Sequence, residues 1–157
     1  MIIHWPEDAL TVDPGMNTGW AYWHGDSNPA TGVFRFKKKN HSATTEQQLV
    51  YMWWEWSQLL NSLQPSIVYI EDCTTFASLV SSTASLRGDL SKLSKLIGGY
   101  ACQCMLYNIK FELWHPRWKG TMKEDVVHRR VQRALGRKYR NHEVIAVAMG
   151  LKLVDEL

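Results

Sequence analysis

The 157-residue chain has no apolar run long enough to span a bilayer. Its first residues, Met1-Ile2-Ile3-His4-Trp5-Pro6-Glu7, have neither the basic start nor the apolar middle of a signal peptide. These absences give the expectation of a cytoplasmic protein with no membrane partner. Cysteine is scarce: Cys73, Cys102 and Cys104 are odd in number and show no repeated metal-ligand spacing, so neither a disulfide framework nor a zinc site is expected, but reduced, mostly buried thiols. Low-complexity segments are absent as well. With 45% hydrophobic residues, the chain is long enough to bury a core without staples, and a single domain over residues 1–157 is expected.

Charge is present but unevenly placed. The net charge is only +3, yet nine of the eighteen Lys and Arg residues lie between Arg117 and Arg140, against two acids, Glu124 and Asp125. Lys37-Lys38-Lys39 makes a second cluster. Each cluster alone reads equally as a solvated face or as a surface that neutralises phosphates.

The pattern of apolar residues alternates between strand and helix. Ala9-Leu10-Thr11-Val12 reads as a buried strand, Trp20-Ala21-Tyr22-Trp23 as a return strand, and Gly32 to Phe36 as a third with period-two alternation. Thr44-Thr45-Glu46-Gln47 looks like a capped helix start, followed by Leu49, Met52, Trp53, Trp56 and Leu60 at helical spacing. Pro65 closes that helix, and Ile67-Val68-Tyr69-Ile70 is a β-forming run expected to lie parallel to the first strand. A helix from Ser85 to Asn108 carries an interruption at Gly98-Gly99, which suggests close packing or a break. Its small residues also offer a dimer surface. Lys110 to Trp114 is a fifth strand, running into a loop, His115 to Gly120, that mixes aromatic and basic groups. Met122 to Gly136 is read as a basic amphipathic helix, and Asn141 to Val154 as a buried helix capped by Asn141.

Three carboxylates stand out against this pattern. Asp13 ends the first strand and opens the turn Pro14-Gly15-Met16-Asn17-Thr18-Gly19; it reads as a turn-initiating Asp or as a metal ligand on rigid scaffold. Glu71-Asp72 ends the fourth strand. If the two strands are parallel neighbours, Asp13 and Glu71 fall at one edge, where open α/β sheets bind their ligands. Glu143, in the first turn of the last helix, either complements the helix dipole or completes a metal site.

In this order, Asp13-Pro14-Gly15 with Thr18-Gly19, Ile70-Glu71, Trp118-Lys119-Gly120 with Lys123, and a His-bearing or acidic start to a final Ala-rich helix, the sequence resembles a RuvC-type Holliday junction resolvase of the RNase H-like superfamily. The compact length suits a phage or other small member, acting in a bacterial or phage-infected cell. The resemblance implies an α/β fold with a five-stranded mixed sheet, three antiparallel strands then two parallel, flanked by helices. It implies a homodimeric endonuclease that resolves four-way DNA junctions by paired symmetric nicks, with Mg²⁺, replaceable by Mn²⁺, as cofactor.

By the same resemblance, Asp13 bridges two metal ions, Glu71 and Glu143 hold one each, and Asp72 is an auxiliary. Lys123 reaches the active-site phosphate, with Lys119 its nearest competitor. His142 orients water or phosphate. The sequence departs from the family at the last helix: one alignment puts Ile145 where an acid belongs, the other puts Glu143 there. Phe76 stands in the region of a family aromatic that wedges between base pairs, or is a core contact. Arg129, Arg130, Arg133, Arg137, Lys138 and Arg140 are expected to line the DNA arms. Rival readings are a broader flap or fork nuclease, an RNase H, or a junction-binding protein with an impaired site, which the Ile145 departure supports.

Overall fold

The computed structural model describes residues 8–25, 28–36, 43–73 and 88–154. Five strands form one sheet: β1 Ala9–Asp13, β2 Asn17–Trp23, β3 Ala30–Arg35, β4 Ile67–Glu71 and β5 Lys110–Trp114, in the order β3-β2-β1-β4-β5. The first three pair antiparallel; β4 pairs parallel to β1, and β5 parallel to β4. This is the mixed sheet expected from the sequence. Helices cover both faces: α1 Thr45–Leu63 and α2 Asp89–Leu106 on one, α3 Glu124–Leu135 and α4 Asn141–Leu153 on the other. No helix among the described residues is long and apolar enough to cross a membrane.

Alternation along β1 feeds two cores. Leu10 and Val12 join Met52, Trp56, Ile70 and Tyr100 under α1 and α2, whereas Ala9 packs with Ala21, Trp23, Val127 and Val147 under α3 and α4. Thr11, fully buried on the second face, donates to the carbonyl of Ala146 at 2.6 Å and accepts from Trp23 Nε1 at 3.2 Å, so α4 is pinned to the middle of the sheet. Val144 to Leu151 is buried throughout, as an apolar helix with no wet face requires.

The crossover helix α1 starts as its sequence dictates. Thr44 Oγ1 accepts from the Gln47 N–H at 3.2 Å, and Gln47 Oε1 accepts from the Thr44 N–H at 2.9 Å. Trp56 is buried, but Trp54 is 56% exposed on the outer face. α2 runs unbroken through Gly98-Gly99, and Gly99 is required because any Cβ there would collide with the Trp53 indole. The expected start of that helix at Ser85 lies outside the described residues. All three cysteines are free; Cys104 is buried, Cys73 half-buried and Cys102 exposed, so the expectation of mostly buried thiols fails at Cys102. The segment read as a plain loop after β5 contains a short 3-10 turn, Pro116–Lys119, and α3 begins at Glu124, two residues later than expected.

Candidate active site

The parallel pairing of β1 with β4 runs in register through Val12 and Ile70, so the next residues, Asp13 and Glu71, come side by side at the carboxyl ends of their strands. Both belong to the sheet face covered by α3 and α4, close enough for the Glu71 charge to bear on the Asp13 carboxyl. The turn between β1 and β2 is locked by Thr18, whose hydroxyl accepts from Gly15 N–H at 3.2 Å, donates to Gly15 O at 2.7 Å and lies 2.9 Å from the Tyr100 hydroxyl. Gly19, opposite Asp13 in the β1–β2 ladder, abuts the backbone carbonyl of His142; a Cβ at this position would overlap it. The Asp-Pro-Gly and Thr-Gly residues are thereby given separate tasks. Thr18 closes the turn, and Gly19 admits the start of α4 against the sheet.

That approach brings His142 Nδ1 to 4.0 Å from Asp13 Oδ2. Glu71 is 8% exposed, and its Oε1 accepts from Trp118 Nε1 at 3.0 Å and from Lys119 Nζ at 2.8 Å. Both donors come from the short turn after β5. Sequence reasoning had Lys119 only as the competitor of Lys123 and gave Trp118 no role as a donor; Lys123, exposed, caps α3 with its backbone carbonyl. A cavity of about 420 Å³ opens beside this pair, lined by Asp13, Lys119, Glu124, Asn141, His142 and Ile145.

Burial is the largest influence on Asp13 and raises its pKa to about 8; the negative charge of Glu71 pushes the same way, Lys119 opposes, and Glu124 adds a smaller push upward. A hard divalent cation relieves the same repulsion, and magnesium needs only one or two carboxylates because it keeps most of its waters. Asp13 and Glu71 fit such an ion. Among the described residues no group of three or more His, Cys, Asp or Glu side chains is gathered so as to hold a metal ion.

The same arrangement of strands and helices is found in solved resolvases. RuvC of T. thermophilus, in complex with a Holliday junction substrate, superposes with a TM-score of 0.69 at 14% identity, covering 92% of this chain and 90% of that one. A second Thermus thermophilus RuvC structure gives 0.65 at 15% identity, covering 92% and 91%. The chain has the RuvC fold. The yeast mitochondrial Holliday junction resolvase Ydc2 shares it, with a TM-score of 0.61 at 11% identity over 98% of this chain and 82% of that one. No family model matches the chain, and no curated protein matches it in sequence.

Within this RuvC-like fold, the other sequence candidates are placed as follows. Glu143 is turned from Asp13: its Oε2 accepts from the Arg140 N–H at 3.0 Å and its Oε1 from Thr31 Oγ1 at 3.2 Å, beside a different hollow over β3. The N-cap of α4 is therefore Arg140, not Asn141, because Glu143 at the third helical position reaches back to the Arg140 N–H. Asp72 lies past the end of β4; its charge bears on the Cys73 thiol and is not among those acting on Asp13. Arg129, Arg130, Arg133, Arg137, Lys138 and Arg140 are all exposed, with Arg129 paired to Asp125 at 3.0 Å and Arg137 stacked 5.2 Å over Tyr139. Phe76 and Lys37-Lys38-Lys39 lie outside the described residues. Glu124 and Asn141 are cavity residues that the sequence did not single out as site residues. The signal for Glu124 was its acidity within an otherwise basic segment.

Proposed function

We propose that the chain is a divalent-metal-dependent endonuclease that resolves four-way DNA junctions by paired symmetric nicks, working as a homodimer. The observation that carries this is the Asp13–Glu71 pair, side by side at the ends of adjacent parallel strands with Asp13 opening on a cavity, in a fold shared with a resolvase solved on a Holliday junction. Buried, like-charged carboxyl groups on rigid strands cost stability, and such a cost is tolerated where the pair has chemistry to perform.

The reaction is hydrolysis of a phosphodiester: a water oxygen bonds to phosphorus, the opposite P–O bond breaks, and the leaving oxygen ends protonated. A divalent ion, Mg²⁺ or Mn²⁺, would when bound supply a more acidic water and stabilisation of charge on the leaving oxygen. Asp13 and Glu71 are the residues that would hold it. Lys119, on Glu71 and at the cavity wall, compensates carboxylate charge in the resting protein and is within the cavity that a phosphate would enter. His142, half-exposed at the start of α4 with Nδ1 4.0 Å from Asp13 Oδ2, would orient a water or a phosphate oxygen. The exposed arginines of α3, with Arg137, Lys138 and Arg140 of the turn after it, hold DNA arms through phosphate contacts, which give affinity and salt dependence without sequence choice.

The test is cutting of a synthetic four-way junction with Mg²⁺ or Mn²⁺, with each strand labelled in turn, beside a linear duplex and a flap of the same sequence. Nicks at symmetric positions in two opposed strands of the junction alone support the resolvase reading. Equal cutting of every branched substrate replaces it with a general branched-DNA nuclease, and tight binding without any nick replaces it with a junction-binding protein.

A further inference from the structure

We propose that Glu124 is a further metal-holding carboxylate of this cavity, supplying on α3 the acid that α4 does not offer. The inference rests on the nuclease reading and extends its ligand set. On the α4 side the cavity is walled by Asn141, His142 and Ile145, and an isoleucine side chain has no oxygen for a hard cation. Glu143, the acid of that first turn, is occupied with the Arg140 N–H and Thr31. Glu124 is the other carboxylate, besides Asp13, on the cavity lining among the described residues.

Its placement is firm while its side chain is not. Val127 and Val131 bury α3 in the core that also holds α4, which fixes the first turn beside the cavity. The Glu124 side chain is 66% exposed, and its contact with His128 Nε2 is long, 3.8 Å, so neither burial nor a close ion pair fixes it. The neighbouring acid behaves differently: Asp125 is paired with Arg129 at 3.0 Å and is not part of the Asp13 cavity. Either acid would favour the helix dipole from the first turn, so the dipole does not explain why one of them faces the cavity.

The experiment uses the full chain and Mn²⁺ alone as probe, with uptake followed by the paramagnetic resonance signal of free Mn²⁺. In parallel, the Mg²⁺ concentration for half-maximal junction cutting is measured, and junction binding is measured in EDTA. Glu124→Gln is expected to weaken Mn²⁺ uptake and to raise the Mg²⁺ requirement by about tenfold or more, because loss of a ligand should cost at least what loss of a ligand's supporting partner costs. Junction binding in EDTA should be no weaker than wild type. Glu124→Asp should restore part of the uptake, and Asp125→Asn should leave uptake and Mg²⁺ requirement as in wild type. Wild-type uptake and Mg²⁺ requirement in Glu124→Gln would overturn the assignment, as would an equal effect of Asp125→Asn, which would show only the general field of the acidic turn. If the wild type takes up no Mn²⁺ and cuts no junction, the nuclease reading itself has failed and the assignment falls with it.

Discussion

Lys119 Nζ lies 2.8 Å from Glu71 Oε1, with the lysine side chain 27% and the glutamate 10% exposed. The ammonium compensates the buried carboxyl group of Glu71, whose Oε1 also accepts from the Trp118 indole N–H at 3.0 Å. Replacing Lys119 by Met leaves that group without its cation. The expected loss is on the order of 3 kcal/mol in the metal-free protein, the scale for removing one partner of a buried ion pair. Denaturant midpoints in EDTA should show that loss, and added Mg²⁺ should recover a larger share of stability in Lys119→Met than in wild type.

Asp13 has its pKa raised from 3.8 to about 8, first by burial and then by Glu71. The native protein therefore keeps a proton that the unfolded chain releases, and the resulting stabilisation is complete below about pH 4 and is lost as the pH rises toward 8. Melting temperature in EDTA should fall across that window. Asp13→Asn, which keeps the shape and removes the titrating group, should flatten the profile and melt higher than wild type at pH 8. Each kcal/mol gained corresponds to about 2–4 °C for a chain of this size. A wild-type melting temperature that climbs from pH 4 to pH 8 in EDTA would contradict the raised pKa of Asp13.

Gly19 is fixed by approach, not by turn conformation. A methyl group there meets the carbonyl of His142, which belongs to backbone and cannot swing aside. Gly19→Ala should push the first turn of α4 from Asp13, so that junction cutting drops by at least about tenfold while the fold survives, overpacking costing about 1–3 kcal/mol. Circular dichroism and cutting rates measured together separate the two effects.

Glu143 caps its own helix. Glu143→Gln should cost about 1 kcal/mol of stability, as loss of a capping interaction does, and leave Mg²⁺-dependent cutting close to wild type. Abolished cutting in a protein of unchanged stability would return Glu143 to the metal site.

The sheet was legible because its signals are local and repeated. Ala9 to Val12 and Ile67 to Ile70 are short apolar runs with one identity each, and the Thr44/Gln47 box announces the crossover helix that makes them parallel. Once those strands are parallel, the Asp13–Glu71 pairing follows from register alone. The last acid was not legible, because the first turn of α4 carries both His142 and Glu143, one residue apart and so about 100° apart around the helix. Only the docking of α4 on Gly19 and Thr11 decides that His142 faces Asp13 while Glu143 turns to Thr31. Glu124 escaped for a related reason. Nothing in the order of residues says that the first turn of α3 and the strand end at Asp13, more than a hundred positions apart, share one cavity.

Asp13 and Glu71, as the pair proposed to hold the metal, are tested by the rate of Mg²⁺-dependent junction cutting in Asp13→Asn and in Glu71→Gln, with junction affinity measured in the same preparations. Each substitution should reduce cutting by at least about a hundredfold, since losing a ligand costs more than losing its supporting contacts, with affinity for the junction kept or increased. Cutting that persists in either variant at near the wild-type rate would contradict the account.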